Sequence, residues 1–241
     1  MMSQKQPYES GIAFRGGPRT DSGSVATLPP ESVCISVRPA SVVYTGLKRL
    51  IDIVASALFL LVFCWLFVLI AILIKLTSRG PVLYVQTRVG TGGRHFPFLK
   101  FRSMIPNADA MKGELEHLNE ADGPVFKIEN DPRVTPVGRF LRKYSLDELP
   151  QFVNVLLGHM SLVGPRPPLP EEVQQYGERE WQRLSVRPGL TCLWQINGRS
   201  KVRFDQWIEL DLDYIQRRSF LLDLLILVRT IPAVITGRGA C

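Results

Sequence analysis

At 241 residues the chain suits one domain with appendages and is long enough to bury a core. A formal charge of +7 beside 46% hydrophobic residues points to an anionic partner, a lipid surface or a phosphorylated substrate; no zinc finger or other nucleic-acid motif is visible, which argues against nucleic acid. Cys34, Cys64, Cys192 and Cys241 are too scattered for a metal site or a disulfide framework, and His95, His117 and His159 form no HExxH pair. The thiols therefore read as reduced and cytosol-facing.

Residues 1–45 are rich in Gly, Pro, Ser and Thr without periodicity, which predicts a disordered cytosolic tail and no signal peptide. Residues 46–79 are expected to form a membrane helix. Within them, residues 53–74 make a stretch of 22 without a charge. As a straight helix that stretch would be ~33 Å long, close to the ~30 Å hydrocarbon core of a bilayer. Lys48 and Arg49 precede it, and Lys75 and Arg79 close it. This symmetry suits a helix that enters the membrane and turns back, without excluding a single span. The usual breaker for such a turn is proline, yet the middle reads Phe63-Cys64-Trp65-Leu66.

Beyond Pro81, residues 82–89 and 96–101 have strand character, and Gly90-Thr91-Gly92-Gly93 between them reads as a hairpin turn rather than a phosphate loop. Helices are expected over 108–119, 139–144, 150–157, 171–184 and 205–217. Residues 220–235 are strongly apolar but contain Asp223, Arg229 and Pro232. They read either as an interfacial helix on a lipid surface or as a C-terminal core helix.

Ser145-Leu146-Asp147-Glu148-Leu149-Pro150 is the richest motif. Two adjacent acids can divide their work, one as nucleophile and the other as cation holder. The competing reading is a capping box, Ser145 with Glu148; Pro150 disturbs it unless the helix starts there. Gly164-Pro165-Arg166-Pro167-Pro168 fixes one arginine between prolines, in a form suited to bidentate phosphate contact. Arg142, Lys143 and Arg199 are further candidates for the same work.

In order along the chain, these motifs resemble those of the bacterial sugar transferases, also called monotopic phosphoglycosyl transferases. The resemblance starts near Lys48-Arg49-Leu50-Ile51-Asp52. It continues through Lys100-Phe101-Arg102-Ser103-Met104, Ser145-Leu146-Asp147-Glu148-Leu149-Pro150-Gln151 and Met160-Ser161-Leu162-Val163-Gly164-Pro165-Arg166-Pro167. Val186-Arg187-Pro188-Gly189-Leu190-Thr191, Trp194-Gln195-Ile196-Asn197-Gly198-Arg199 and Glu209-Leu210-Asp211 complete it. It implies an α+β fold: a mostly helical catalytic domain at 80–241 with a small β-hairpin, one re-entrant or single-span membrane helix, and interfacial amphipathic helices. The implied reaction moves a sugar-1-phosphate from a UDP-sugar to undecaprenyl phosphate on the cytosolic face of the bacterial inner membrane, releasing UMP. Asp147 would be the nucleophile, Glu148 a Mg²⁺ ligand, and Arg142, Arg166 and Arg199 phosphate holders, with Lys100 also at the substrate. Asp211 lies in a family block without an assigned role. The Gly237-Arg238-Gly239-Ala240 ending resembles exopolysaccharide-initiating galactose-phosphate transferases. Where the family commonly has Ser-Pro in its membrane helix, this chain has Cys64-Trp65. The implied partners are the UDP-sugar, undecaprenyl phosphate and a lipid bilayer, with homo-oligomerisation left open. Two other readings compete: a catalytically inert scaffold of a glycan assembly complex, and a polyprenyl-chain synthase, which lacks its D-D-x-x-D pair here.

Overall fold

The computed structural model describes residues 40–198 and 202–237. The long apolar segment forms two helices, α1 (Val42–Val62) and α2 (Cys64–Thr77), bent by 61° at Phe63. Among the described residues no single helix is long and apolar enough to cross a membrane; the bent pair meets that length and composition only together. The segment expected as one re-entrant or single-span membrane helix is thus two helices joined at a bend, and α1 begins at Val42. The rest of the tail, residues 1–39, lies outside the described residues.

No proline makes the bend, so its cause is tertiary. Phe59 on α1 stacks on Phe152 with ring centroids 3.9 Å apart. On α2, Phe67 packs on Phe101 instead, and Ile70 and Ile74 join Phe101 and Leu141 in a separate apolar cluster. The two halves follow differently inclined surfaces, and the chain leaves helical geometry at Phe63 (φ −102°, ψ 14°) to reach both. Arg102 closes the far end of α2, donating to the carbonyls of Arg79 (2.7 Å) and Ser78 (3.0 Å).

The expected hairpin is present as β1 (Leu83–Val89) and β2 (His95–Phe101), paired antiparallel from Leu83↔Phe101 to Val89↔His95. Strand alternation puts Phe96, Phe98 and Lys100 on one face of β2. The register sets Tyr84, Gln86 and Arg88 opposite them. After the hairpin come α3 (Pro136–Lys143), α4 (Gln151–Leu157) and β3 (Ser161–Val163). Then follow α5 (Pro170–Val173), α6 (Glu178–Trp181) and β4 (Gly189–Thr191), with α7 (Leu193–Ile196), α8 (Phe204–Arg217) and α9 (Phe220–Thr236) completing the order.

A parallel pair, β3 with β4, was not foreseen; three-residue strands carry too little periodicity. The pair forms because Gly164 and Gly189 let two backbones touch, and a Cβ on Gly189 would overlap Gly164 N. The main core surrounds it, with Phe96, Phe98, Val155, Met160, Leu162 and Ile226 all buried. Helix 171–184 is instead broken: α5 and α6 are separated near Gly177, whose N–H is taken by Glu180 at 2.9 Å, so that Tyr176 and Trp181 both turn inward. Residues 108–119 form turns and a 3-10 helix (Gly113–Leu118) rather than an α-helix, with i+3 bonds such as Ala110 N to Asn107 O. The α9 helix continues through Pro232, with Ile226 buried and Leu221, Leu224, Val228, Ile231 and Ile235 exposed along one stripe.

Gly189→Ala is expected to lower the unfolding midpoint by an amount equivalent to about 1–3 kcal/mol, because the added methyl must push the strand pair apart. Gly46→Ala, in α1 with open space around it, is expected to be neutral or stabilising by up to ~1 kcal/mol. Thermal unfolding in one detergent measures both, and equal midpoints would contradict the close approach.

Candidate active site

Thr135 caps α3 by accepting from Gly138 N at 2.9 Å, and Pro136 opens the helix. Gly138 lies directly on the Ser103 carbonyl, where any Cβ would overlap it. That close approach brings Arg142, one turn later, to Ser103, and its Nε donates to Ser103 Oγ at 2.9 Å. After α3, Ser145 adopts a left-handed conformation (φ 53°), unusual for a residue with a Cβ. The reversal starts a 3-10 turn, Leu146–Glu148. Leu146 packs towards α2 and α3, while Asp147 and Glu148 line the cleft. The capping-box reading is therefore corrected: Ser145 is not extended as an N-cap would be, and α4 starts beside Pro150.

The two acids have different surroundings. Glu148 Oε1 accepts from Arg166 Nη2 at 2.7 Å and from Lys100 Nζ at 3.5 Å. Burial works against its charge, but Arg166 and Lys100 outweigh it and hold Glu148 down at about 2. Asp147 is buried, and among the described residues its carboxylate accepts no hydrogen bond. Burial pushes Asp147 above the usual carboxylate value, with the Glu148 charge adding to the rise; Lys100, Arg142 and Arg166 oppose it. Burial also lowers Lys100 to about 8, against the pull of Glu148. One carboxylate is thus clamped and the other left open among cations.

The loop carrying Arg166 is held by its backbone. Gly164 N donates to Thr191 O (3.0 Å) and Gly189 N to Pro165 O (2.8 Å). Arg88 Nη1 donates to Pro167 O at 3.0 Å and Arg183 Nη2 to Arg166 O at 3.2 Å. Arg183 is itself fixed by Asp211 at 2.7 Å and by the Tyr176 hydroxyl at 2.7 Å. Asp211 thus stands behind the site rather than in it. Burial lifts its carboxyl to about 6 against the pull of Arg183.

Asp147, Glu148, Lys100, Arg142 and Arg166 all line one open cleft of about 1430 Å³. Lys143 is exposed, over the Tyr144 ring, and does not join them. Arg199 lies outside the described residues. Sequence reasoning missed Arg88, Arg183 and Ser103; strand alternation would have placed Arg88 on the Lys100 face, but nothing local announces the other two. Also unannounced is the buried pair Arg133–Asp131 (2.6 Å), which lines the cleft near Arg142. Among the described residues no three His, Cys, Asp or Glu side chains cluster as a metal cage. Glu148 Oε2 has no protein hydrogen bond among them, and Glu148 lines the cleft.

An unpaired carboxylate among fixed cations is the arrangement of an enzyme site with room for an anion. The chain belongs to the bacterial sugar transferase family, whose model matches residues 43–237. It is similar to galactosyl transferase CpsE of Streptococcus agalactiae, 44% identical over 80% of this chain and 43% of that protein. It is also similar to exopolysaccharide production protein ExoY of Rhizobium meliloti, 44% identical over 80% of this chain and 87% of that one. Undecaprenyl-phosphate galactose phosphotransferase of Salmonella typhimurium is 42% identical over 80% of this chain and 41% of its own length. The chain therefore spans less than half of two of these relatives and most of the third.

Lys100 is cationic below about 8 and neutral above it. The kcat/KM for an anionic donor is expected to fall along an alkaline limb near that pH. In Lys100→Arg, whose charge persists, the limb is expected to disappear from this range. An unchanged limb in Lys100→Arg would show that Lys100 is not the group that titrates there.

Proposed function

We propose that this protein transfers a sugar-1-phosphate, with galactose the favoured sugar, from a UDP-sugar to undecaprenyl phosphate and releases UMP, as the first membrane step of exopolysaccharide synthesis. The observation that carries the reading is the asymmetry of the acid pair: Glu148 is clamped by Arg166 and Lys100, whereas Asp147 stands open beside it. In the first step an Asp147 oxygen bonds to the sugar-linked phosphorus. The bond from that phosphorus to the bridging diphosphate oxygen breaks, and UMP leaves with the electron pair. In the second step a phosphate oxygen of undecaprenyl phosphate attacks the same phosphorus and releases Asp147. Carboxylates are established nucleophiles at phosphorus. Arg142, Arg166 and Lys100 lower the Coulomb cost of bringing anionic groups together. The names of two of the relatives above support galactose.

A magnesium ion fits the acid pair without a protein cage, because Mg²⁺ takes one or two carboxylates and completes its shell with water and phosphate oxygens. Glu148 Oε2 would hold it, and it would supply charge neutralisation at the diphosphate.

The lipid substrate calls for a membrane site, and two apolar surfaces suit one. Leu58, Leu61, Trp65, Val68 and Leu76 are exposed on α1 and α2, as is the apolar stripe of α9. Patches of this kind on a monomer mark lipid or protein contacts. The bend at Phe63 supports a re-entrant pair, with both ends and the catalytic domain on the cytosolic face of the bacterial inner membrane.

Purified protein with undecaprenyl phosphate and Mg²⁺ is expected to release UMP from UDP-galactose and to lose this on chelation. Asp147→Asn is expected to reduce release by at least ~10⁴-fold with expression and membrane association unchanged. Substantial activity in that variant would overturn the nucleophile. No UMP from UDP-galactose, UDP-glucose or UDP-N-acetyl sugars would favour the scaffold reading. Single cysteines before Lys48 and after Arg79 are expected to label only from the cytosolic side, and labelling of the first from outside the cell would replace the re-entrant pair by a span.

A further inference from the structure

The polar first half of α1 reaches into the catalytic domain. Asp52 is 2% exposed. Its Oδ1 accepts from Leu162 N, in the middle of β3, at 3.0 Å. Four residues earlier, Lys48 Nζ donates to Asp223 Oδ2 at 2.8 Å, and Tyr44 donates to the same oxygen at 2.9 Å. Asp223 Oδ1 accepts from the Tyr214 hydroxyl at 2.8 Å, and that hydroxyl also reaches Val163 O at 3.1 Å. Arg49 donates to the Val155 and Leu156 carbonyls at 2.6 and 2.8 Å, capping the end of α4.

Directly, or through Asp223 on α9 and Tyr214 on α8, these ties reach two elements that carry the site. One is β3, which runs directly into the loop bearing Arg166. The other is α4, which follows the turn bearing Asp147 and Glu148. The ion pair between Arg166 and Glu148 joins the same two elements at their functional ends. A buried carboxylate is costly to desolvate, so Asp52 on α1 and Asp223 on α9 are expensive residues for helices that served only as anchors.

We propose that Asp52 is a positioning residue for Arg166: through Leu162 N it sets β3, and with it the place of the arginine that clamps Glu148. Tyr214, through Val163 O, is the second tie of the same kind. The α1 helix is in this account part of the active-site framework. The inference rests on the transferase reading above, and its test separates the two.

The full chain in lipid-containing micelles is assayed for UMP release with undecaprenyl phosphate and UDP-galactose. Asp52→Ala is expected to lower kcat ~10- to 100-fold, the scale of a small misplacement of a catalytic group. Asp52→Asn keeps an oxygen that accepts from Leu162 N and is expected to stay within about threefold. In an Arg166→Ala background, Asp52→Ala is expected to add less than about twofold, because the residue through which it acts is gone. A merely structural Asp52 would lower activity by the same factor in both backgrounds, and that result would overturn the proposal. So would an Asn variant as impaired as Ala. If Asp52→Ala cannot be recovered folded, Tyr214→Phe is expected to lower kcat by a smaller factor in the Arg166→Ala background than in the wild type, and an equal factor in both would overturn the proposal. Phenylglyoxal labelling of Arg166, read by peptide mass, needs no turnover. It is expected to rise severalfold in Asp52→Ala and not in Asp52→Asn, and equal labelling overturns the inference. An inactive wild type with this labelling pattern would instead fault the transferase reading alone.

Discussion

The ion pair between Arg166 and Glu148 is the interaction on which the site depends. Two consecutive carboxylates in one buried turn repel each other, and neither is well solvated. Arg166 resolves the conflict by taking one of them at 2.7 Å, with Lys100 alongside at 3.5 Å. Glu148 can then stay ionised, and Asp147 needs no permanent partner. Removing Arg166 would leave Glu148 with only the longer contact to Lys100. The same change would let Glu148 turn to its neighbours and spoil the openness of Asp147.

Much of the remaining fold can be understood as support for that pair. The loop with Arg166 is set from below by β3 and β4, whose contact requires Gly164 and Gly189. From the side it is held by Arg183, itself locked by Asp211 and Tyr176. The turn with Glu148 is set by α3, brought down onto Ser103 by Gly138, and by the left-handed Ser145. Buried polar groups of this kind depend on one another for their hydrogen bonds. Here that condition links residues from both ends of the chain.

The acids, Arg142, Arg166 and Lys100 are legible in the sequence, because short motifs and the family resemblance mark them. Spacing alone leaves the capping box and the functional pair equally open; a division of labour between the acids comes only as an implication of the resemblance. The hairpin is legible from alternation, as are α4 and α8 from helical period. The broken 170–185 region is misread because Tyr176 and Trp181 obey a core that the local period does not reveal. The bend at Phe63 was expected to need proline, and it comes instead from Phe59 and Phe67 docking on separate surfaces.

By itself, the sequence determined the chemical types available and where they lie along the chain: an acid pair, an arginine between prolines, a lysine on a strand, and a charge-free apolar segment. Those features follow from local rules of side-chain period, turn chemistry and charge. Only the tertiary structure decided which acid is clamped, which arginines serve the backbone rather than the cleft, and that Asp52 in the first helix touches the strand before Arg166. The physical reason is that each of these outcomes is a contact between residues far apart in sequence. Burial and desolvation set the value of such contacts, and local spacing carries no record of them.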